Sequence, residues 1–199
     1  MTTITYPLSR IEGHARVVID VYDNEVFRAD FQAMEMRGFS YYVKGIPAEQ
    51  ITVIVPRICG VCSTAHQVAS VKALEDVFGI TPPPLANDIR EVLLLGQLIQ
   101  NQATSLFIFT MPDRTNSNSL FELSRNEAER AKEFSLAQMA LRIRKIGTDL
   151  ISLAGGQFIH PIKTVIGGVT SGIPREKADQ MIDTINDLLP VACETGDIY

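Results

Sequence analysis

Only three cysteines and three histidines occur among 199 residues. That scarcity excludes a small fold stapled by disulfides and fits a reducing compartment. Positive charge is also in short supply: 18 Lys and Arg stand against 23 Asp and Glu, for a net charge of −5. No basic cluster reverses that balance, which argues against nucleic acid and anionic membrane surfaces as partners. No apolar run is long enough to span a bilayer. Met1-Thr2-Thr3-Ile4-Thr5 shows no charged n-region followed by an apolar h-region. A soluble, cytoplasmic protein without a membrane span is therefore expected. No repeat, low-complexity tract or interdomain linker interrupts the chain, so residues 1–199 are expected to form a single domain. At 46% apolar, they can bury a core of their own or supply half of a larger one.

What is present reads as mainly α with a small N-terminal antiparallel β-sheet. Residues 15–22 and 26–33 alternate as two strands joined at Asp23-Asn24, the second with Phe27, Ala29, Phe31 and Ala33 on one face. Residues 64–78 carry apolar positions at helical spacing and stop at Gly79 before three prolines. A second helix is expected over 86–109, and 111–119 reads as a loop containing Pro112, Asp113, Asn116 and Asn118. Ser124-Arg125-Asn126-Glu127 has the form of a capping box for a long helix reaching about residue 154, where Gly155-Gly156 ends it. A last helix starts at Pro174, and Pro190 is expected to stop or kink it. The Met and Phe stripes of these helices read as core.

Chemistry concentrates in Pro56-Arg57-Ile58-Cys59-Gly60-Val61-Cys62-Ser63-Thr64-Ala65-His66. Gly60 lets the backbone turn tightly between the two cysteines, so both sulfurs can address one ion. If a helix begins near Cys62, His66 lies one turn on along the same face, able to ligate or to hydrogen-bond the sulfur. Arg57 and the free N–H groups of a helix start favour the thiolate that metals need. Rival readings remain open. A structural zinc site needs four ligands, and Cys59, Cys62 and His66 would require Cys193, His14 or His160 as the fourth. A thioredoxin-like dithiol needs a strand feeding the motif, for which Ile51-Thr52-Val53-Ile54-Val55 is the candidate. Covalent haem attachment is excluded, because Ser63 stands where that motif demands His.

The cysteine motif with His66 resembles the first metal-binding motif of the nickel-iron hydrogenase large subunit. Ser9-Arg10-Ile11-Glu12-Gly13-His14, Arg37-Gly38-Phe39 and Gly155-Gly156-Gln157-Phe158-Ile159-His160-Pro161, with Gly167-Gly168-Val169 behind it, resemble further segments of that family in the same order. The resemblance covers essentially this whole chain but only the N-terminal part of such a subunit. It implies the long packed helices of the nickel-iron hydrogenase large-subunit type. The family's second pair, Asp-Pro-Cys-x-x-Cys, does not occur here. The resemblance therefore implies the N-terminal portion of a split, processed or incompletely recorded subunit, whose C-terminal half supplies the other two cysteines. A metal-free structural or assembly relative is the alternative. Cys193, alone on its helix, is expected to be a buried or half-buried structural thiol.

By that resemblance Cys59 is a terminal nickel thiolate and Cys62 a thiolate bridging nickel and iron, the iron carrying CO and CN ligands. His66 donates a hydrogen bond to the Cys62 sulfur, and Glu12 relays protons. Arg10, His14 and His160 face an iron-sulfur small subunit, with His160 near its proximal cluster. Further electron-transfer subunits are possible partners. The implied reaction is reversible heterolytic cleavage of H2, with electrons leaving through the partner's clusters. The family's magnesium ligand after Arg37-Gly38-Phe39 is a glutamate, whereas Ser40 stands here; a neutral hydroxyl is a poor ligand for a hard dication, so a magnesium site is doubtful.

Overall fold

The computed structural model describes residues 1–114 and 127–198. Where the sequence reading expects one domain over 1–199, backbone contacts gather into two compact units, Met1–Lys44 and Gly45–Tyr199. Each is described by itself.

The first unit is an antiparallel meander of β1 (Thr2–Pro7), β2 (Ala15–Tyr22) and β3 (Glu25–Ala33). Strands β2 and β3 lie where the alternation predicts them. Their connection is set by Asp23 and Asn24, both at positive φ (51° and 61°), the conformation that matches a two-residue turn to the twist of the strands it joins. Strand β1 is an addition to the expected pair; it places Ile4 opposite Ile19 and Tyr6 opposite Val17. Because Val17 in turn faces Phe31 and Ile19 faces Ala29, Ile4, Tyr6 and Phe31 share one apolar face. A register shift at Asp20/Val21 lets β2 and β3 slip by one residue near the turn. The unit ends in a single turn, α1 (Phe39–Tyr42), entered through Gly38 at φ 63°.

The second unit is helical. Helix α2 (Ala48–Ile54) runs into a 3-10 turn over Val55–Ile58. The β-branched run at 51–55 is thus helical, and the strand that a thioredoxin-like motif requires is absent at that place. Intrinsic β propensity yields here because packing and the 3-10 continuation satisfy the backbone. Helix α3 (Ser63–Phe78) ends as predicted: Gly79 takes the left-handed conformation at φ 66°, and the Gly79 and Ile80 N–H groups close on Asp76 O and Glu75 O.

Helix α4 (Pro84–Thr104) does not stop near residue 109. It passes into a π-helical stretch, Ser105–Thr110, and on into α5 (Met111–Arg114). The first residues of the expected loop are therefore helical; 115–126, which hold the rest of that loop and most of the expected capping box, lie outside the described residues. By length and hydropathy, Pro84–Asp113 would suffice to cross a bilayer, which corrects the expectation that no segment is long enough. Its buried face argues for a core helix, because it carries Arg90, Gln97 and Gln100 alongside Ile89 and Leu93.

Helix α6 (Glu127–Gly155) lies along α4. The two pack tightly at Gly96 and Gly147, where a Cβ on Gly147 would fall 2.5 Å from the Gln100 backbone nitrogen and 2.6 Å from Gly96 O. Around that crossing Val68, Ile89, Leu93, Ile151 and Ala154 form one buried cluster. Phe107, Met111, Leu136 and Ala140 form a second. The chain then makes a short hairpin, β4 (Thr164–Val165) with β5 (Gly168–Val169), and closes with α7 (Arg175–Ile198). Pro190 lies inside α7 and does not end it. It forfeits one hydrogen bond, but Ile185, Leu188 and Val191 pack with Ile146 and Leu150 of α6, and this burial carries the helix through.

Candidate metal centre

The cysteine loop sits between the 3-10 turn and α3. Pro56 is buried at its start, Cys59 is extended (φ −142°, ψ 121°), and Cys62 occupies the N-cap of α3. The Cys62 backbone N–H donates to Cys59 Sγ at 3.3 Å, which draws the first sulfur over the start of the helix, where N–H dipoles favour negative charge. Both thiols are half-buried and neither is in a disulfide. His66 is half-buried in the first turn of α3, its N–H reaching Cys62 O at 3.3 Å. Arg57 is exposed and donates through Nη1 to Val53 O.

The loop is held from outside. Gln97 of α4 accepts a hydrogen bond from Thr64 N–H at 3.1 Å and donates one to Val61 O at 2.5 Å. Ser63 Oγ accepts from His160 N–H at 3.3 Å, so the structure brings the Gly155–Pro161 motif against the first residue after Cys62. His160 itself is left-handed (φ 54°), and Gln157 Nε2 pins the segment by donating to Ile159 O and His160 O. A cavity of about 190 Å³ opens beside this segment, lined among others by Arg57, Gln67, His160 and Thr164. Gln67 Oε1, Thr164 Oγ1 and His160 Nδ1 are buried without a hydrogen-bond partner among the described residues.

A second anchor lies deeper. Arg90 Nη1 and Nη2 donate to Glu75 Oε2 and Oε1 at 2.9 and 2.7 Å, and Nη2 also serves Val165 O and Gly168 O at 2.8 and 2.9 Å. Gly167 N–H completes the carboxylate at 2.8 Å. Burial pushes the Glu75 carboxyl up, but the Arg90 and Gly167 hydrogen bonds and the charges of Arg90 and Lys72 outweigh it and hold it below its ordinary value. The pair thus straps the β4–β5 hairpin to α3 and α4. Sequence reading missed Gln97, Glu75 and Arg90. The available signal was polar residues on an otherwise apolar helix face, with Arg90 and Gln97 seven residues, or two turns, apart.

Of the other sequence-predicted residues, all but Cys193 belong to the first unit. Glu12 and His14 are exposed, and His14 Nδ1 meets Glu35 Oε1. Arg10 is left-handed (φ 60°) with Nη1 on Ser9 Oγ, and Arg37 stacks over Phe39 at 5.4 Å. Ser40 is exposed. Cys193 corrects the sequence reading: it is exposed on α7, since the apolar face of that helix is spent on Met181, Ile185 and Leu188. Among the described residues, no three His, Cys, Asp or Glu side chains gather as a metal site. The described residues therefore assemble no zinc site. Two thiols alone, soft donors on one loop, fit part of the coordination of a soft transition metal whose remaining ligands come from elsewhere.

Comparison with known proteins gives the same direction. The family model described as nickel-dependent hydrogenase matches residues 37–137, over half the chain, and a HoxL-like model matches 3–36. The chain is 33% identical to a subunit of the F420-non-reducing hydrogenase vhu of Methanocaldococcus jannaschii, over 94% of this chain and 45% of that protein. It is 30% identical to the beta chain of the NAD-reducing hydrogenase HoxS of Cupriavidus necator, over 93% and 40%. Among solved structures, an NAD+-reducing [NiFe]-hydrogenase in its H2-reduced state superposes with a TM-score of 0.80 at 29% identity, covering 98% of this chain and 44% of the other. The reduced Ni-Fe-Se hydrogenase of Desulfovibrio vulgaris Hildenborough gives 0.74 at 26%, covering 100% and 45%. The chain thus spans less than half the length of these relatives. Its helical architecture, its small N-terminal sheet and the extent of these matches make it a member of the nickel-dependent hydrogenase family.

Proposed function

We propose that this chain is the N-terminal part of the catalytic subunit of a nickel-iron hydrogenase, which splits H2 reversibly into protons and electrons once its missing half and partner subunits are in place. The observation that carries the reading is the paired, half-buried Cys59 and Cys62 at the start of α3 in a chain of this family. They would provide two of the thiolates that hold the metals, and the other two would come from a C-terminal half with its own cysteine pair. When bound, a nickel-iron centre supplies the Lewis-acid and redox chemistry for heterolytic cleavage.

The chain's own residues do the rest. Cys62 and Cys59 fix sulfur positions through the loop clasp. His66, one turn along α3, would donate a hydrogen bond toward the Cys62 sulfur and draw electron density from it. Glu12 would take the proton that cleavage releases, a task requiring a carboxylate within hydrogen-bond reach. Arg10, His14 and His160 would form part of the face toward an iron-sulfur subunit, His160 being steered by its left-handed backbone and its bond to Ser63. Iron-bound CO and CN belong to the same reading; a magnesium ion would need a site built differently, since Ser40 stands where the family has a glutamate. The complex would be cytoplasmic. A relative named for NAD reduction supports a nicotinamide acceptor as one option.

A metal-free structural relative is the second reading, favoured by the lack of a complete ligand cluster among the described residues. Nickel and iron content of the native complex, measured by mass spectrometry together with every co-purifying polypeptide, separates the two. Nickel near one per complex with a partner peptide carrying a second C-x-x-C supports the hydrogenase. Neither metal nor such a peptide leaves the structural relative.

A further inference from the structure

The N-cap of a helix ordinarily spends its side chain on the helix's free N–H groups, which is why Ser, Thr, Asp and Asn prevail there. In α3 that position is Cys62, and its side chain makes no cap hydrogen bond. The Cys62 sulfur, read as a metal ligand, leaves the capping of α3 to another group. The vacant duty is met from another helix. Gln97, 7% exposed in the middle of α4, accepts from the N–H of Thr64, the second residue of α3, and returns its own amide N–H to Val61 O. One side chain therefore holds the backbone on both sides of Cys62, through a donor and an acceptor on the same amide. Thr64 itself is 1% exposed, so its N–H has no recourse to water.

We propose that Gln97 is a positioning residue that caps α3 from outside so that Cys62 keeps its sulfur for coordination. The claim rests on reading Cys59 and Cys62 as ligands, but its first readout does not. Both hydrogen bonds need an amide of this length: a methionine fills the same space without either, a glutamate keeps only the acceptor for Thr64, and an asparagine is one methylene short.

The test uses the native complex containing the full chain, with Gln97→Met and Gln97→Glu. Amide hydrogen exchange is followed along α3, and nickel and iron per complex are measured. In Gln97→Met, Thr64 exchange should rise by about tenfold, the scale of a lost cap, with the later turns of α3 unchanged and metal content reduced. In Gln97→Glu, Thr64 should stay slow. The proposal is overturned by unchanged Thr64 exchange in Gln97→Met, by acceleration spread evenly over α3 and α4, or by fast Thr64 exchange with full metal content. If Gln97→Met fails to fold, Gln97→Asn takes its place with the same expectations. A wild-type complex without nickel would defeat the ligand reading alone, leaving the Thr64 result to judge the cap.

Discussion

Replacing Arg90 with Met tests the energetic centre of the helical unit. The Arg90 and Glu75 side chains are 1% and 6% exposed, and the two paired contacts lie at 2.7–2.9 Å. Removing the guanidinium leaves a buried carboxylate with one backbone N–H, from Gly167, and strips a charged donor from Val165 O and Gly168 O. Breaking a buried pair on one side costs about 3–5 kcal/mol, a large share of the roughly 5–15 kcal/mol that holds a typical domain. The sign with pH follows from the ion. In the native chain Glu75 sits below its ordinary value of 4.5, so its contribution is complete above that pH and is lost as the pH falls through the lower folded-state value. In Arg90→Met the carboxylate is an unpaired buried charge, relieved by protonation, so the gap between native and variant should narrow as the pH falls. Urea unfolding followed by circular dichroism at about pH 7.5 and about pH 4.5 measures both. A loss below about 1 kcal/mol at the higher pH, or an equal gap at both, would refute the reasoning.

Three further outcomes are expected. Gly147→Ala places a methyl group 2.5 Å from the Gln100 nitrogen, so α4 and α6 must separate; the cost should reach or exceed the roughly 1–3 kcal/mol of ordinary overpacking, whereas Gly172→Ala, with nothing within 4 Å, should leave the melting temperature nearly unchanged. Cys59→Ser should abolish nickel retention and H2 uptake in the assembled complex, and survival of either would remove Cys59 from the ligand set. Asn24→Val forces a β-branched residue into the left-handed turn at φ 61° and should cost about 1–2 kcal/mol in thermal unfolding, while Asn24→Gly should be tolerated.

Local chemistry was legible in the sequence wherever a few adjacent residues decide the backbone. The Asp23-Asn24 turn, the alternation of β3, the start of α3 beside Cys62, its stop at Gly79 and the end of α6 at Gly155 all follow from conformational preferences acting within a turn or two. The cysteine spacing likewise pointed to metal or redox chemistry before any fold was known. What tertiary structure decided depends on partners far along the chain. Ile51–Ile54 are helical despite their β-branched residues, and α7 continues through Pro190 because burial against α6 outweighs one missing hydrogen bond. Gln97 meets Val61 and Thr64 across 36 and 33 residues, and Arg90 meets Val165 and Gly168 across 75 and 78. A polar residue inside an apolar helix says that some buried group needs it, since leaving such a group unpaired is costly. Which group it is becomes knowable only when the helices pack.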